Sequence, residues 1–316
     1  MRHRAVPSPA LCRALFFGAK KGLTMLEYYV VDAFSETPLH GNPAAVVFGG
    51  ERLGTEVMQR IAQEMNLSET VFVLPSDHPD ADYRVRIFTP RSELPFAGHP
   101  TLATAHAMLL RGGLSGPQLT QSCALGLIPL TVQAKGPEQW FIEMTQGAPS
   151  IAAPEINRQL LSEALGCAQE ALTPRPPAVV STGVPWLLAE LDGPAPLAAL
   201  RPDAHHLAPL CQALGALGVT LFCALPPGGD ATYRLRTFAP GEGIGEDPVC
   251  GSGHGAVCAY LAQGSGRPEG AYAAEQGVEL GRRGKVWARW TTPATGLAVH
   301  IGGTASLFAE GRLVLR

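Results

Sequence analysis

Residues 70–90 read TVFVLPSDHPDADYRVRIFTP, and residues 220–240 read TLFCALPPGGDATYRLRTFAP. Laid on each other at an offset of 150, without a gap, they agree at nine of 21 positions. Phe72/Phe222, Tyr83/Tyr233, Arg84/Arg234, Arg86/Arg236 and Phe88/Phe238 are among the matches. Each copy is an apolar run, a polar loop and a second run rich in β-branched and aromatic residues, which is the pattern of two strands and a turn. Two copies at so long a period exclude a solenoid and point to a duplicated domain. The chain is therefore read as α+β, with two pseudo-symmetric domains over residues 25–148 and 149–316, the chain end being free to cross back to the first.

The elements around the repeat support this division. YYVVDAF (28–34) and AAVVF (44–48) read as strands about the turn Gly41-Asn42-Pro43, because Asn-Pro marks a turn. Gly183-Val184-Pro185 echoes that turn in the second half. Residues 55–65 have helical spacing, with Val57, Ile61, Ala62 and Met65 on one face. Strands are expected at 71–74, 83–88, 128–132 and 140–144. A helix is expected over 101–110, with Pro100 at its first position and His99 at the N-cap.

In the second copy the repeat leads into Glu246-Asp247-Pro248-Val249-Cys250-Gly251-Ser252-Gly253-His254-Gly255-Ala256, a glycine-rich turn before an apolar helical run. Free N–H groups at a helix start, together with the helix dipole, favour an anion in front of them. Allowing three extra residues, Ala97-Gly98-His99-Pro100 falls over Cys250-Gly251-Ser252-Gly253. The N–H groups of Gly98, Gly251 and Gly253 are thus candidate donors to a substrate carboxylate. Two facing halves make a cleft, and small-molecule sites favour domain interfaces.

Bulk composition narrows the classes. The formal net charge of -3 offers no basic face for nucleic acid. No apolar run reaches the roughly 18 residues of a membrane span. Seven cysteines, an odd count without a C-x-x-C, argue against a disulfide framework or structural zinc and for a reducing cytoplasm. Residues 1–24 are basic with a short apolar piece and are expected to be a disordered leader or the product of a misplaced start. GSGHGA at 251–256 satisfies a loose dinucleotide pattern, yet ten residues separate it from the preceding strand, with Glu242, Glu246 and Asp247 among them. Asp203 with His205-His206, and His99 with His106, lack metal-ligand spacing. No metal and no cofactor are expected.

VVDAFSETPLHGNPAAVVF (30–48), NLSETVFV (66–73), YRVRIFTPRSELPFAGHPTLATAHAM (83–108) and GEDPVCGSGHGA (245–256) together resemble the phenazine-biosynthesis PhzF-like family. The resemblance covers nearly everything from Met25 on. It implies the diaminopimelate-epimerase fold, in which each of two domains is a mostly antiparallel sheet wrapped around a central helix, with the active site between them. It also implies cofactor-independent isomerase chemistry on a small carboxylated metabolite, and a homodimer. In the founding member the reaction is a proton shift within a dihydro-hydroxyanthranilate.

Carried over by motif, the acid/base glutamate is Glu69, and His99, Asp247 and Ser252 complete the catalytic set. Asn42, Gly98, Cys250, Gly251 and Gly253 are the expected substrate contacts. A carboxylate desolvated in a closed cleft has a raised pKa, which suits a group that takes a proton from carbon and returns it. Ser252 also fits an N-cap. Cys250 departs from the family, which carries threonine there. A thiol in C-G-S-G resembles the racemases that use two opposed cysteines, but the partner position is Ala97. The alternatives are a racemase or epimerase using Cys250, whose thiolate a helix start would favour, and a non-catalytic small-molecule-binding or interaction protein. Loops 76–82 and 121–127 are expected among the pocket walls.

Overall fold

The computed structural model describes residues 24–315. The leader expectation therefore lies, but for Thr24, outside the described residues. The first half runs β1 (Thr24–Ala33), β2 (Asn42–Phe48), α1 (Thr55–Met65), β3 (Glu69–Leu74), β4 (Tyr83–Phe88), β5 (Glu93–Leu94), α2 (Gly98–Leu110), β6 (Gln118–Cys123), β7 (Gly126–Gly136) and β8 (Gln139–Thr145). The second runs β9 (Ser150–Ala152), α3 (Arg158–Leu165), β10 (Ala178–Ser181), β11 (Pro185–Glu190), α4 (Pro194–Ala199), α5 (Ala204–Ala213), β12 (Gly218–Ala224), β13 (Tyr233–Ala239), β14 (Ile244–Asp247), α6 (Gly251–Ser265), β15 (Glu269–Gln276), β16 (Gly284–Thr291) and β17 (Ala298–Leu315).

The two copies of the repeat are the hairpins β3–β4 and β12–β13. Each is flanked by the same pairings: β2 and β11 join parallel to β3 and β12, and β4 and β13 join parallel to β6 and β15. In the first half the pairings β1–β2–β3–β4–β6–β7–β8–β17–β1 close a barrel. In the second, β10 through β16 wrap in the same way and end on β17. Residues 305–315 of β17 run antiparallel to β1.

Each barrel is filled by one helix. α2 packs on β1, β2, β3, β8 and β17, and α6 on β10, β11, β12, β16 and β17. Both are apolar all round and buried along most of their length, as a helix enclosed on every side must be. Outside the sheet, α1 covers β2–β4 through Met58, Ile61, Phe72 and Phe88. The group α3–α5 covers β11 and β12 through Leu161, Leu165, Leu207 and Leu221. Ile61 and Ala62 lie on the buried face of α1 as the sequence reading expected, but Met58, 2% exposed, takes the place expected for Val57, which is 38% exposed. No helix among the described residues is long and apolar enough to cross a membrane.

Both central helices begin differently from the sequence expectation. α2 starts at Gly98 with Ala97 as N-cap, so His99 lies in the first turn. Pro100 does not fix the start, because the whole first turn tolerates a missing N–H. α6 starts at Gly251 with Cys250, not Ser252, as N-cap. The cap is the thiol, since Gly253 N donates to Cys250 Sγ at 3.3 Å. Ala97 and Cys250 are thus equivalent, an offset of 153. The two helix starts meet backbone to backbone, for a Cβ on Gly98 would stand 3.4 Å from Gly251 Cα. A side chain at either glycine would fill the contact between the two backbones.

Candidate active site

Glu69 opens β3 and His99 lies in the first turn of α2; both are buried. His99 Nε2 stands 2.9 Å from Glu69 Oε2 and 3.3 Å from Ser68 Oγ. On the other side of the ring, Nδ1 lies 3.1 Å from Asn42 Nδ2. That amide nitrogen also donates to Asp247 Oδ1 at 2.7 Å and to Val249 O at 3.1 Å. Both oxygens can only accept, which fixes the amide orientation. The two amide hydrogens go to these two oxygens, and Nε2, facing the Glu69 carboxylate, carries an imidazole proton. Asn42 therefore joins the acids of the two halves through one histidine, over 57 and 205 residues of chain.

Burial would raise the pKa of Glu69, as the sequence reading expected. The charge of His99, with hydrogen bonds from His99 and Ser68, outweighs burial and leaves it lowered. Burial alone would depress the His99 imidazole, and Glu69 and Asp247 hold it above its ordinary value. Asp247 goes the other way. Burial, reinforced by the nearby Glu69 charge against the pull of His99, raises it to about 6. The carboxyl pushed toward neutrality is thus Asp247, and Glu69 is the one kept ionised.

Cys250 does not gain a stabilised thiolate from its helix start. Burial first, then the Asp247 carboxylate, push its pKa well above the ordinary thiol range. Its Sγ caps α6 and lies 3.4 Å from Ser252 Oγ. Ser252 in turn accepts from Trp186 Nε1 at 3.0 Å. Behind them Gln276 ties the turn together: Nε2 donates to Asp247 O at 2.8 Å, and Oε1 accepts from Cys250 N at 3.2 Å.

These groups face a cavity of about 530 Å³. Glu69, Gly98, His99, Asp247, Cys250, Gly251 and Ser252 all stand on its wall. Asn42 and Gly253 do not: Asn42 lies wholly buried behind His99, and the Gly253 N–H is taken by Cys250. Loops 76–82 and 121–127 are also absent from the wall. It is built instead from 66–69, 89–98 and 242–252, with Val184, Trp186 and Leu217. Ser68, Trp186, Gln276 and Arg91 escaped the sequence reading. Ser68, beside Glu69, and Arg91 lie inside recognised motifs; Trp186 and Gln276 carried no local cue.

The first-turn N–H groups of both central helices have no acceptor within their helices and meet at this wall. Among the described residues no group of three or more His, Cys, Asp or Glu is arranged to hold a metal ion. Asp203 and His206 lie elsewhere, with Asp203 capping α5 and pairing with His206 at 2.7 Å.

A family model described as phenazine biosynthesis-like protein matches residues 31–311. The chain belongs to that family. A trans-2,3-dihydro-3-hydroxyanthranilate isomerase of Pseudomonas aeruginosa is 38% identical over 293 residues, covering 92% of this chain and all of its own. The antisense-enhancing sequence 1 protein of Schizosaccharomyces pombe is 33% identical over 300 residues, with 92% and 99% covered. The crystal structure of a PhzF-family phenazine biosynthesis protein from Bacillus anthracis superposes with a TM-score of 0.85 at 28% identity, covering 92% of this chain and 100% of that one. This member of the PhzF family is an isomerase-type enzyme with the epimerase-like fold.

Proposed function

We propose that the enzyme is a cofactor-independent isomerase that moves a proton within a small carboxylated substrate held in the cavity in front of the two helix starts. The observation that carries this reading is the buried Glu69–His99 pair, at 2.9 Å, on the wall of a cavity whose floor is the first turns of α2 and α6. The substrate carboxylate accepts from first-turn N–H groups at Gly98 and Gly251, and Ser252 adds a hydroxyl. Glu69, ionised through His99, takes a proton from carbon. The C–H electron pair shifts into a new double bond, the old double bond opens toward its far carbon, and that carbon takes the proton back from Glu69. No net proton or electron is gained or lost, and the proton on Glu69 exchanges with solvent before its return, so solvent deuterium enters the compound.

His99 and Asp247 share the charge that develops during transfer, and fixed donors aimed at that charge lower the barrier. Asn42 is a positioning residue in this reading: its amide lies against the His99 ring and donates to Asp247. The P. aeruginosa relative is named for trans-2,3-dihydro-3-hydroxyanthranilate, and that compound or a close carboxylated analogue is the substrate class we assign. A homodimer and a cytoplasmic location belong to the same reading; the six described cysteines are all free thiols, which suits a reducing compartment.

The test is incubation of the purified enzyme with trans-2,3-dihydro-3-hydroxyanthranilate and related small carboxylic acids in deuterated water, followed by NMR. An isomerised product, or deuterium at the donor or acceptor carbon, supports the proposal. Tight binding without either outcome supports a binding protein instead.

A further inference from the structure

Arg91 occupies a position at the cavity mouth that the chemistry above does not use. It sits in the turn after β4, which is held by its own hydrogen bonds. Thr89 Oγ1 accepts from Arg91 N at 3.1 Å and from Ser92 N at 3.0 Å, and Thr89 N donates to Ser92 O at 2.8 Å. From this turn of the first half the side chain reaches the loop before β14 in the second and lies on the backbone of Gly243. A Cβ at Gly243 would collide with Arg91 Cζ, Nη1 and Nη2, and Gly243 has φ +81°. The positive φ calls for glycine there, and the missing side chain leaves room for the guanidinium.

The charges around the cavity leave this guanidinium without a partner. Four carboxylates line it, those of Glu69, Glu242, Glu246 and Asp247. Glu69 faces His99, and Glu246 is held bidentately by Arg236 at 2.8 and 2.7 Å. Arg86, which leads into the same turn, is spent on Glu93 at 2.7 and 2.6 Å. Among the described residues Arg91 is the one lysine or arginine on the wall, and its side chain has neither an ion pair nor a hydrogen bond. A planar fork with all its donors free, backed by a glycine and open to a cavity, is built to receive a planar oxyanion. Glu242 on the same rim disfavours anions in general, so only a group seated directly on the guanidinium gains.

Resting on the proposed isomerase reading, we propose that Arg91 determines substrate specificity by binding a second carboxylate, while the helix starts hold the first. Within the proposed substrate class, an analogue carrying a second carboxylate is then bound more tightly than one carrying a single carboxylate.

Calorimetric titration with 2-aminobenzoate, 2-aminoterephthalate and 4-aminoisophthalate compares one carboxylate with two, at two spacings, on the same ring. At least one dicarboxylate should bind the wild type about tenfold or more tightly than 2-aminobenzoate. Arg91→Met should erase that gain and leave 2-aminobenzoate binding within about twofold, and Arg91→Lys should keep part of it. Equal affinity for one and two carboxylates in the wild type, or a preference that survives in Arg91→Met, overturns the proposal and leaves the isomerase reading standing. Failure of all three compounds to bind the wild type removes the carboxylate floor, and both readings fall together.

Discussion

Glu69 and Asp247 carry the same functional group in one cavity and titrate in opposite directions because of what each touches. Glu69 faces His99 at 2.9 Å, whereas Asp247 is held mainly by burial and reaches about 6. The folded chain binds the Asp247 proton more tightly than the unfolded chain does. Stability therefore falls as pH rises from the ordinary aspartate range, about 4, to about 6, and the cost is then fully present at higher pH. Asp247→Asn removes that slope. Denaturant melts should find the variant more stable than wild type at pH 7.5, by on the order of 1–2 kcal/mol, with the difference closing toward pH 4. A difference that is the same at both pH values contradicts this assignment. Cys250 lends itself to an equally local prediction. Its sulfur caps α6 and stays protonated, so threonine, whose hydroxyl can accept the same Gly253 N–H, should serve in its place. Cys250→Thr should keep turnover within about threefold; a loss of about a hundredfold would instead mark the thiol as an acid or base.

At the scale of elements, the start of α6 is fixed by what its glycines exclude. A Cβ on Gly253 would stand 2.6 Å from Thr220 Oγ1 and 3.2 Å from Thr237 Oγ1, two buried hydroxyls that bond each other at 3.1 Å between β12 and β13. Gly253→Ala should therefore cost about 1–3 kcal/mol through overpacking, read as a lower melting temperature. Gly241→Ala, with nothing within 4 Å of the new Cβ, is the matched control. Equal melting temperatures for the two variants would contradict the packing argument. Local pattern was enough to place α1 at Thr55–Met65 and β4 at Tyr83–Phe88, because apolar spacing and flanking polar residues are properties of the segment itself. It missed the burial of Met58 over Val57, which depends on how the helix is rolled on β3 and β4. It also put both central helix starts too late. Pro100 and Ser252 have strong local preferences for helix ends, but the facing of Gly98 on Gly251 is a contact between halves that no single segment contains.

The whole molecule is held together by elements that cross between its halves. β17 pairs with β8, β16 and β1, and Arg289 on β16 grips Glu143 on β8 across it. Arg282, in the loop before β16, bonds the buried Asp32 at 2.7 Å and also donates to Gly41 O at 3.0 Å and His40 O at 3.2 Å. That grip holds the turn leading into Asn42. Arg282→Met leaves the buried Asp32 without its cation, held by the Leu39 N–H at 2.7 Å, and should cost about 3–5 kcal/mol, with part of the loss recovered in the Asp32→Asn, Arg282→Met double variant. A single variant as stable as wild type would contradict it. These long-range ties explain what sequence could and could not supply about the site. Glu69, His99, Asp247, Cys250 and Ser252 were legible because they sit in compact motifs. Asn42 appeared as a ligand contact and proved to lie behind the wall, because its neighbours come from His99 and Asp247. Trp186 and Arg91 belong to the wall only through the packing of one half on the other. The central claim is that this assembly makes Glu69 the proton carrier. Deuterium wash-in from solvent into trans-2,3-dihydro-3-hydroxyanthranilate, followed by NMR for wild type and folded Glu69→Gln, tests it most directly. The wild type should show wash-in, and the variant a rate at least about a hundredfold lower; equal rates in the two proteins would contradict this role for Glu69.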